Sequence, residues 1–168
     1  MINKLKQHLP KSNDADRKAW AQEIVHDQVV LEELIPLIHD KKSIASRFMW
    51  LLSDVGELQP QKLLEILPHI LELSKQNIDL NFPHSLSRYW FIAGVPEQNE
   101  VEAIELLFHW LNSPKSNVML KSTSMMVLDG LVKKHPDLKN EFKSILENQL
   151  DRNTDSFKKR ALKIYRAL

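Results

Sequence analysis

A repeated pair of apolar helical segments is the feature that most limits the folds open to this chain. Residues 31–40 contain an internal proline, Pro36, and lead through a short polar turn into a second apolar segment, residues 43–52. Residues 64–71 repeat the first segment, and Pro68 lies 32 residues after Pro36. A period of this length is typical of stacked helical hairpins, in which each unit buries its apolar face only against its neighbours.

Apolar residues recur at three- and four-residue intervals along nearly the whole chain, and no alternating strand pattern persists. Capping residues, prolines and glycines divide this pattern into predicted helices. These helices span residues 14–26, 28–40, 43–56, 60–76, 84–95, 97–112, 117–134, 136–150 and 156–168. Pairing them gives about four hairpins after an N-terminal half unit, and we expect a single repeat domain over residues 1–168. In the helix 28–40 we expect Val30 and Leu31 to point inward.

The composition excludes several kinds of chemistry. The chain has no cysteine, so disulfides, thiolate metal sites and cysteine nucleophiles are excluded. None of the seven histidines lies three or four residues from another, so no helix offers a paired metal site. The net charge of +1 is low for a nucleic-acid-binding protein. With no signal-peptide pattern and no apolar run of membrane-spanning length, we expect a soluble, cytoplasmic protein without a membrane partner.

No catalytic motif is present in the sequence. There is no Gly-x-Ser-x-Gly elbow, no Gly-x-x-x-x-Gly-Lys phosphate loop and no Gly-x-Gly-x-x-Gly turn. The three glycines, Gly56, Gly94 and Gly130, lie 36 or more residues apart and cannot form a glycine-rich cradle. We therefore expect neither an enzyme nor a cofactor.

Residues 31–58, with a proline in the first helix, an aspartate in the turn and a basic residue early in the second helix, resemble the HEAT unit of armadillo-type superhelices. The C-terminal half is similar to short bacterial HEAT-like proteins that often carry the genome label "adenylosuccinate lyase". The segments that carry this similarity are residues 108–111, 121–125, 135–141 and 157–165. The resemblance covers most of the chain from about Ala15 onward. It implies an all-α, right-handed superhelix whose usual role is binding or scaffolding.

In HEAT superhelices the second helix of each pair usually lines the concave surface. That implies a strip of cations and aromatic rings along one groove of this chain. The residues of this candidate strip are Arg47, Trp50, Asp54, Arg88, Trp90, Phe91 and Lys121. Such a strip suits an acidic peptide with apolar anchors, or phosphates with stacked bases.

A structural role competes with binding for the same residues. In HEAT units the basic residue near the start of the second helix commonly pairs with an aspartate in the turn. The resemblance therefore also implies a ladder of ion pairs, Asp40 with Arg47 and Asp151 with Lys158 or Lys159. Under this interpretation Trp20, Trp50 and Trp110 are buried or half-buried between repeats.

The leading functional expectation is a non-enzymatic binding or scaffold module that holds an unidentified protein or peptide in its concave groove. The alternative is a nucleic-acid-binding module related to HEAT-like DNA-repair glycosylases, for which Asp54 beside Trp50 would be the carboxylate. A third interpretation is the lyase label itself. That enzyme uses a Ser-Ser-x-Met-Pro-x-Lys loop, and residues 122–126 lack its proline and lysine.

Overall fold

The computed structural model describes residues 1–168 and contains helices and turns but no strand, which confirms the all-α class. The α-helices are α1 Ile2–His8, α2 Asp14–His26, α3 Lys42–Leu58, α4 Pro60–Ser74, α5 Phe82–Ala93, α6 Glu100–Asn112, α7 Val118–Lys134, α8 Lys139–Gln149 and α9 Asp155–Ala167. Short 3₁₀ helices lie at Leu9–Lys11, Leu31–His39, Glu97–Asn99, Pro136–Leu138 and Leu150–Arg152.

The chain divides into two compact units, Met1–Pro96 and Glu97–Leu168. In the first unit α2, α3 and α5 pack side by side in one layer. The 3₁₀ helix Leu31–His39 contacts α1 and α4 and forms a second layer with them. The predicted single domain over residues 1–168 stays a prediction.

The second unit has the same two-layer plan on a smaller scale. Helix α6 packs against α7, and α8 packs against α9. Contacts between α6 and α8, and between α7 and α9, join the two pairs. Within the second unit, the hairpin of α6 and α7 therefore packs against the hairpin of α8 and α9.

The helix predicted over residues 28–40 is a shorter 3₁₀ helix, Leu31–His39. Pro36 lies inside it, and a proline lacks the N–H and clashes with the carbonyl four residues earlier in an α-helix. Just before this segment Gln28 adopts φ 52°, and the Val29 N–H donates to the Ile24 carbonyl at 3.0 Å. This reversal ends α2 in a Schellman-type turn and leaves Val30 exposed, so the inward placement predicted for Val30 is wrong.

Helix α1 was absent from the predicted set. Its apolar residue Leu5, and Leu9 in the 3₁₀ turn that follows, are fully buried. A helix of seven residues has little stability of its own and forms here because it packs against the rest of the first unit. Helix α1 packs against the 3₁₀ helix Leu31–His39, and its Lys4 forms an ion pair with Glu23 on α2.

Gly56 permits the close approach of α3 to α4. A Cβ atom added at Gly56 would lie 2.4 Å from Cδ2 of Leu63, which is far inside van der Waals contact. The packing of these two helices sets the position of α3, the helix that carries Trp50.

Candidate functional site

Helices α3 and α5 of the first unit carry an exposed aromatic and basic surface. Trp50 on α3 is 52% exposed and Phe91 on α5 is 55% exposed, which is unusual for such large apolar side chains. Arg88 lies one turn before Phe91, so both project from the same side of α5. Its guanidinium carbon is 6.0 Å from the centre of the Trp50 ring, within the range of a cation–π contact.

Two further charged residues complete this surface. The Arg88 guanidinium donates a hydrogen bond to the carboxylate of Glu57 on α3. Arg47 lies three residues before Trp50 on the same helix and is half-buried. We call the group Arg47, Trp50, Glu57, Arg88 and Phe91 the Trp50 patch.

Trp50 differs from the other tryptophans of the predicted core. Trp20 is half-buried and Trp110 is buried, as the core interpretation expects. Trp50 departs from this interpretation, because it is 52% exposed and its ring is in contact with the Arg88 guanidinium.

Asp54, the fourth residue after Trp50, is buried in an ion pair. Its Oδ2 atom accepts a hydrogen bond from Nε of Arg17 on α2 at 3.1 Å, and both side chains are buried. Arg17 also contacts Oδ1 of Asp14 at 2.8 Å. Burial raises the pKa of the Asp54 carboxyl above its ordinary value, and the Arg17 guanidinium opposes that rise. This buried ion pair joins α2 to α3, and we call it the Arg17–Asp54 clamp.

Trp90 is only 2% exposed, and its neighbour Tyr89 is fully buried. The Tyr89 hydroxyl donates a hydrogen bond to the backbone carbonyl of Met49 and so ties α5 to α3. Trp90 therefore belongs to the core of the first unit, whereas Phe91 beside it points to the outside.

Lys121 lies in the second unit and is 6% exposed. Its Nζ atom donates to Oε1 of Gln149 at 2.7 Å, and the same oxygen accepts from Nδ2 of Asn153 at 3.2 Å. We call Lys121, Gln149 and Asn153 the Lys121 network. Burial lowers the pKa of the Lys121 ammonium, and the positive charge of Arg152 lowers it further. No carboxylate pairs with this buried ammonium.

The predicted ladder of ion pairs forms in one place and fails in another. The Nζ atom of Lys158 lies 2.9 Å from Oδ1 of Asp151, which confirms that pair. The pair between Asp40 and Arg47 is wrong, because Oδ2 of Asp40 contacts Nζ of Lys6 at 2.9 Å. Lys6 belongs to α1, which the sequence pattern did not reveal.

Glu57 and Arg17 are the residues of the site that sequence reasoning missed as partners. Glu57 lies three residues after Asp54 and seven after Trp50, so it extends the stripe that starts at Arg47 by one turn. That spacing could have revealed Glu57. Nothing in the sequence pairs Arg17 with Asp54, 37 residues away.

No group of histidine, aspartate and glutamate side chains is placed to hold a metal ion. None of the helices combines the length and the apolar character that crossing a membrane requires. Comparison with protein-family models, with curated proteins and with solved structures gave no match.

Proposed function

We propose that this chain is a non-enzymatic binding module that holds a protein or peptide partner against the Trp50 patch. The observation that carries this proposal is the exposure of two large aromatic rings, Trp50 in contact with Arg88 and Phe91 one helical turn after Arg88. Exposed tryptophan and arginine side chains contribute most of the binding energy in many protein interfaces. Large apolar side chains that are exposed together, beside polar residues, often mark a site of interaction with another protein.

The chemistry of the patch defines the partner. Trp50 and Phe91 offer flat apolar surfaces to an apolar or aromatic side chain. Arg88 is held over Trp50 by Glu57, so its remaining N–H groups are already oriented. Arg47 adds a second cation one turn away on α3. The matching partner is a peptide segment with an apolar anchor beside one or two acidic residues.

The two-layer packing within each unit supports a HEAT-like arrangement. In this arrangement α2, α3 and α5 would be the second helices of successive pairs, and the Trp50 patch lies on two of them, α3 and α5. We therefore propose a right-handed superhelix of HEAT-like hairpins, with this layer on its concave side.

The buried Asp54 weighs against the nucleic-acid alternative. A glycosylase carboxylate must reach the substrate, whereas the Asp54 side chain is covered and clamped by Arg17. Arg47 and Arg88 share the Trp50 patch with one carboxylate, Glu57, so the patch keeps one net positive charge, which suits one or two acidic side chains but not a row of phosphates.

A random peptide library displayed on phage and selected on the immobilised chain tests the proposal. We expect enrichment of peptides that combine a large apolar residue with nearby Asp or Glu. Trp50→Ala or Arg88→Glu should weaken the binding of a selected peptide at least about tenfold.

The matched control is Leu58→Ala, which removes another half-exposed apolar side chain from the same helix, α3. Binding should be unchanged in this variant. Peptides that bind Trp50→Ala as tightly as the parent chain would show that the patch is not the binding surface.

A further inference from the structure

A groove with an apolar floor and an acidic rim lies within the second unit. It runs between α6 and residues 135–141 and has a volume of about 650 Å³. Its floor is formed by Val101, Ile104, Phe108 and Leu138. Val101 is 75% exposed, so the floor is open to water. Phe108 makes an edge-to-face contact with the buried Phe142, with the ring centres 6.3 Å apart.

The acidic residues of this groove fall into two groups. Glu100 contacts both Lys134 and His135, and Glu97 lies 4.0 Å from the same lysine, so these two carboxylates share one ammonium group. Glu105, Asp137 and Glu141 also line the groove, and they take part in no ion pair. Three uncompensated carboxylates therefore surround an exposed apolar floor.

Helix α9 presents the complementary pattern on its outer face. Lys159, Lys163 and Arg166 lie at positions i, i+4 and i+7, are exposed and form no ion pair. Leu162 lies among them at i+3 and is half-buried. The opposite face of α9 is buried in its own unit, so this basic face is the one that an external surface can contact.

We propose that the acidic groove of one copy of this chain binds the basic face of α9 of a second copy. Three unpaired cations would meet three unpaired carboxylates, and Leu162 with the lysine stems would cover the apolar floor. The two surfaces differ, so the contact is heterologous. Reciprocal exchange closes a dimer, and one-way exchange builds a head-to-tail chain.

Charge complementarity favours this occupant over an apolar or acidic segment. An acidic partner would be repelled by Glu105, Asp137 and Glu141, and an apolar one would leave those carboxylates facing its surface. The attraction between exposed charges is screened by salt, so the association should weaken as ionic strength rises.

Sedimentation velocity of the full chain over about a hundredfold range of concentration tests the proposal. We expect the mean mass to rise with concentration at about 25 mM salt and to fall towards the monomer at about 300 mM salt. Lys163→Glu and Glu105→Lys should each weaken self-association at least about tenfold, because each places like charges in contact.

A mixture of these two variants gives the decisive result. The reversed groove of Glu105→Lys matches the reversed α9 of Lys163→Glu, and the other two surfaces are unaltered. The mixture should therefore associate as the parent chain does, although neither variant does so alone. Lys115→Glu reverses an exposed charge outside both surfaces and serves as the control.

Three outcomes would overturn the proposal. The first is a parent chain that stays monomeric at low salt, which would leave the groove for a basic segment of another protein. The second is association that neither variant weakens. The third is a mixture that fails to recover association while both variants keep their helix content by circular dichroism.

Discussion

The Trp50 patch in the first unit and the Lys121 network in the second carry residues that are equivalent in the sequence pattern. Arg88 and Lys121 are both basic residues placed early in a predicted second helix. In the structure Arg88 is exposed over a tryptophan ring, whereas Lys121 is covered and bonded to a glutamine. The same position in a repeat can therefore serve a partner in one unit and internal packing in another.

The exposed Arg88 and the covered Lys121 should contribute differently to the stability of the fold. An exposed cation keeps its hydration, and its pair with Glu57 contributes little to folding. A covered ammonium loses its hydrogen bonds to water. A neutral acceptor of the protein, here Oε1 of Gln149, must replace them. Substitutions at Arg88 should change binding, and those at Lys121 should change stability.

Matched charge reversals should give the largest contrast between the two regions. Lys121→Glu buries a carboxylate next to the Gln149 oxygen and should lower the free energy of unfolding by more than about 3 kcal/mol. Arg88→Glu leaves a charge in water and should cost less than about 1 kcal/mol. Urea denaturation of both variants measures these values. Equal losses of unfolding free energy in the two variants would contradict the assignment of Lys121 to the core and of Arg88 to the surface.

The variant Asp54→Ala tests whether Asp54 belongs to the Trp50 patch or to the core of the first unit. It removes the main partner of the covered Arg17 guanidinium, which keeps only the exposed Asp14. We expect a loss of about 2 to 3 kcal/mol in the free energy of unfolding. In the double variant Arg17→Met with Asp54→Leu, the loss should be smaller, because no buried charge remains. A single variant as stable as the parent would mean that the clamp contributes nothing.

The pH dependence of stability gives a third contrast. Because the pKa of Lys121 is lowered in the folded chain, the unfolded chain binds more protons between that pKa and the ordinary value of 10.5. The stability contributed by this residue therefore rises with pH across that window and is unchanged below it. Lys121→Met should be at least as stable as the parent near neutral pH, and its advantage should shrink as the pH approaches 10.5. If the stability difference between Lys121→Met and the parent chain does not change with pH, the Lys121 ammonium is fully hydrated in the folded chain and the assignment is wrong.

The smallest expected changes in stability come from removing Asn153, a neutral member of the Lys121 network, or Glu57, the exposed partner of Arg88. Asn153→Ala removes a donor to Gln149 and should cost about 1 kcal/mol of unfolding free energy. Glu57→Ala removes only the exposed partner of Arg88 and should cost less than about 0.5 kcal/mol. Thermal unfolding by circular dichroism resolves the order of the two. The reverse order would contradict the assignment of the two regions.

The sequence predicted the helices well where caps and apolar spacing agree. Helix α2 matches its predicted bounds of 14–26, and Asn13 and Asp16 form its capping box. The pattern failed where tertiary contacts decide the structure. Leu5 and Leu9 give too short a signal to predict α1, and Gln28 adopts a positive φ that favours glycine.

The site was harder to predict than the fold, because one side chain's exposure depends on elements far along the chain. Trp90 and Phe91 are adjacent aromatic residues, and the rotation of α5 about its axis decides which of the two is covered. Lys121 is covered because Gln149 and Asn153 come from the next pair of helices. The spacing of residues along α7 therefore does not reveal that Gln149 and Asn153 will cover Lys121.

The most direct test of the account is the affinity of a peptide selected on the parent chain for two variants, measured by isothermal titration calorimetry. Trp50→Ala should raise the dissociation constant at least about tenfold, because it removes an exposed anchor. Lys121→Met should leave it within about twofold, because Lys121 is covered and belongs to the packing of the second unit. A peptide that loses affinity for Lys121→Met and keeps it for Trp50→Ala would contradict the account.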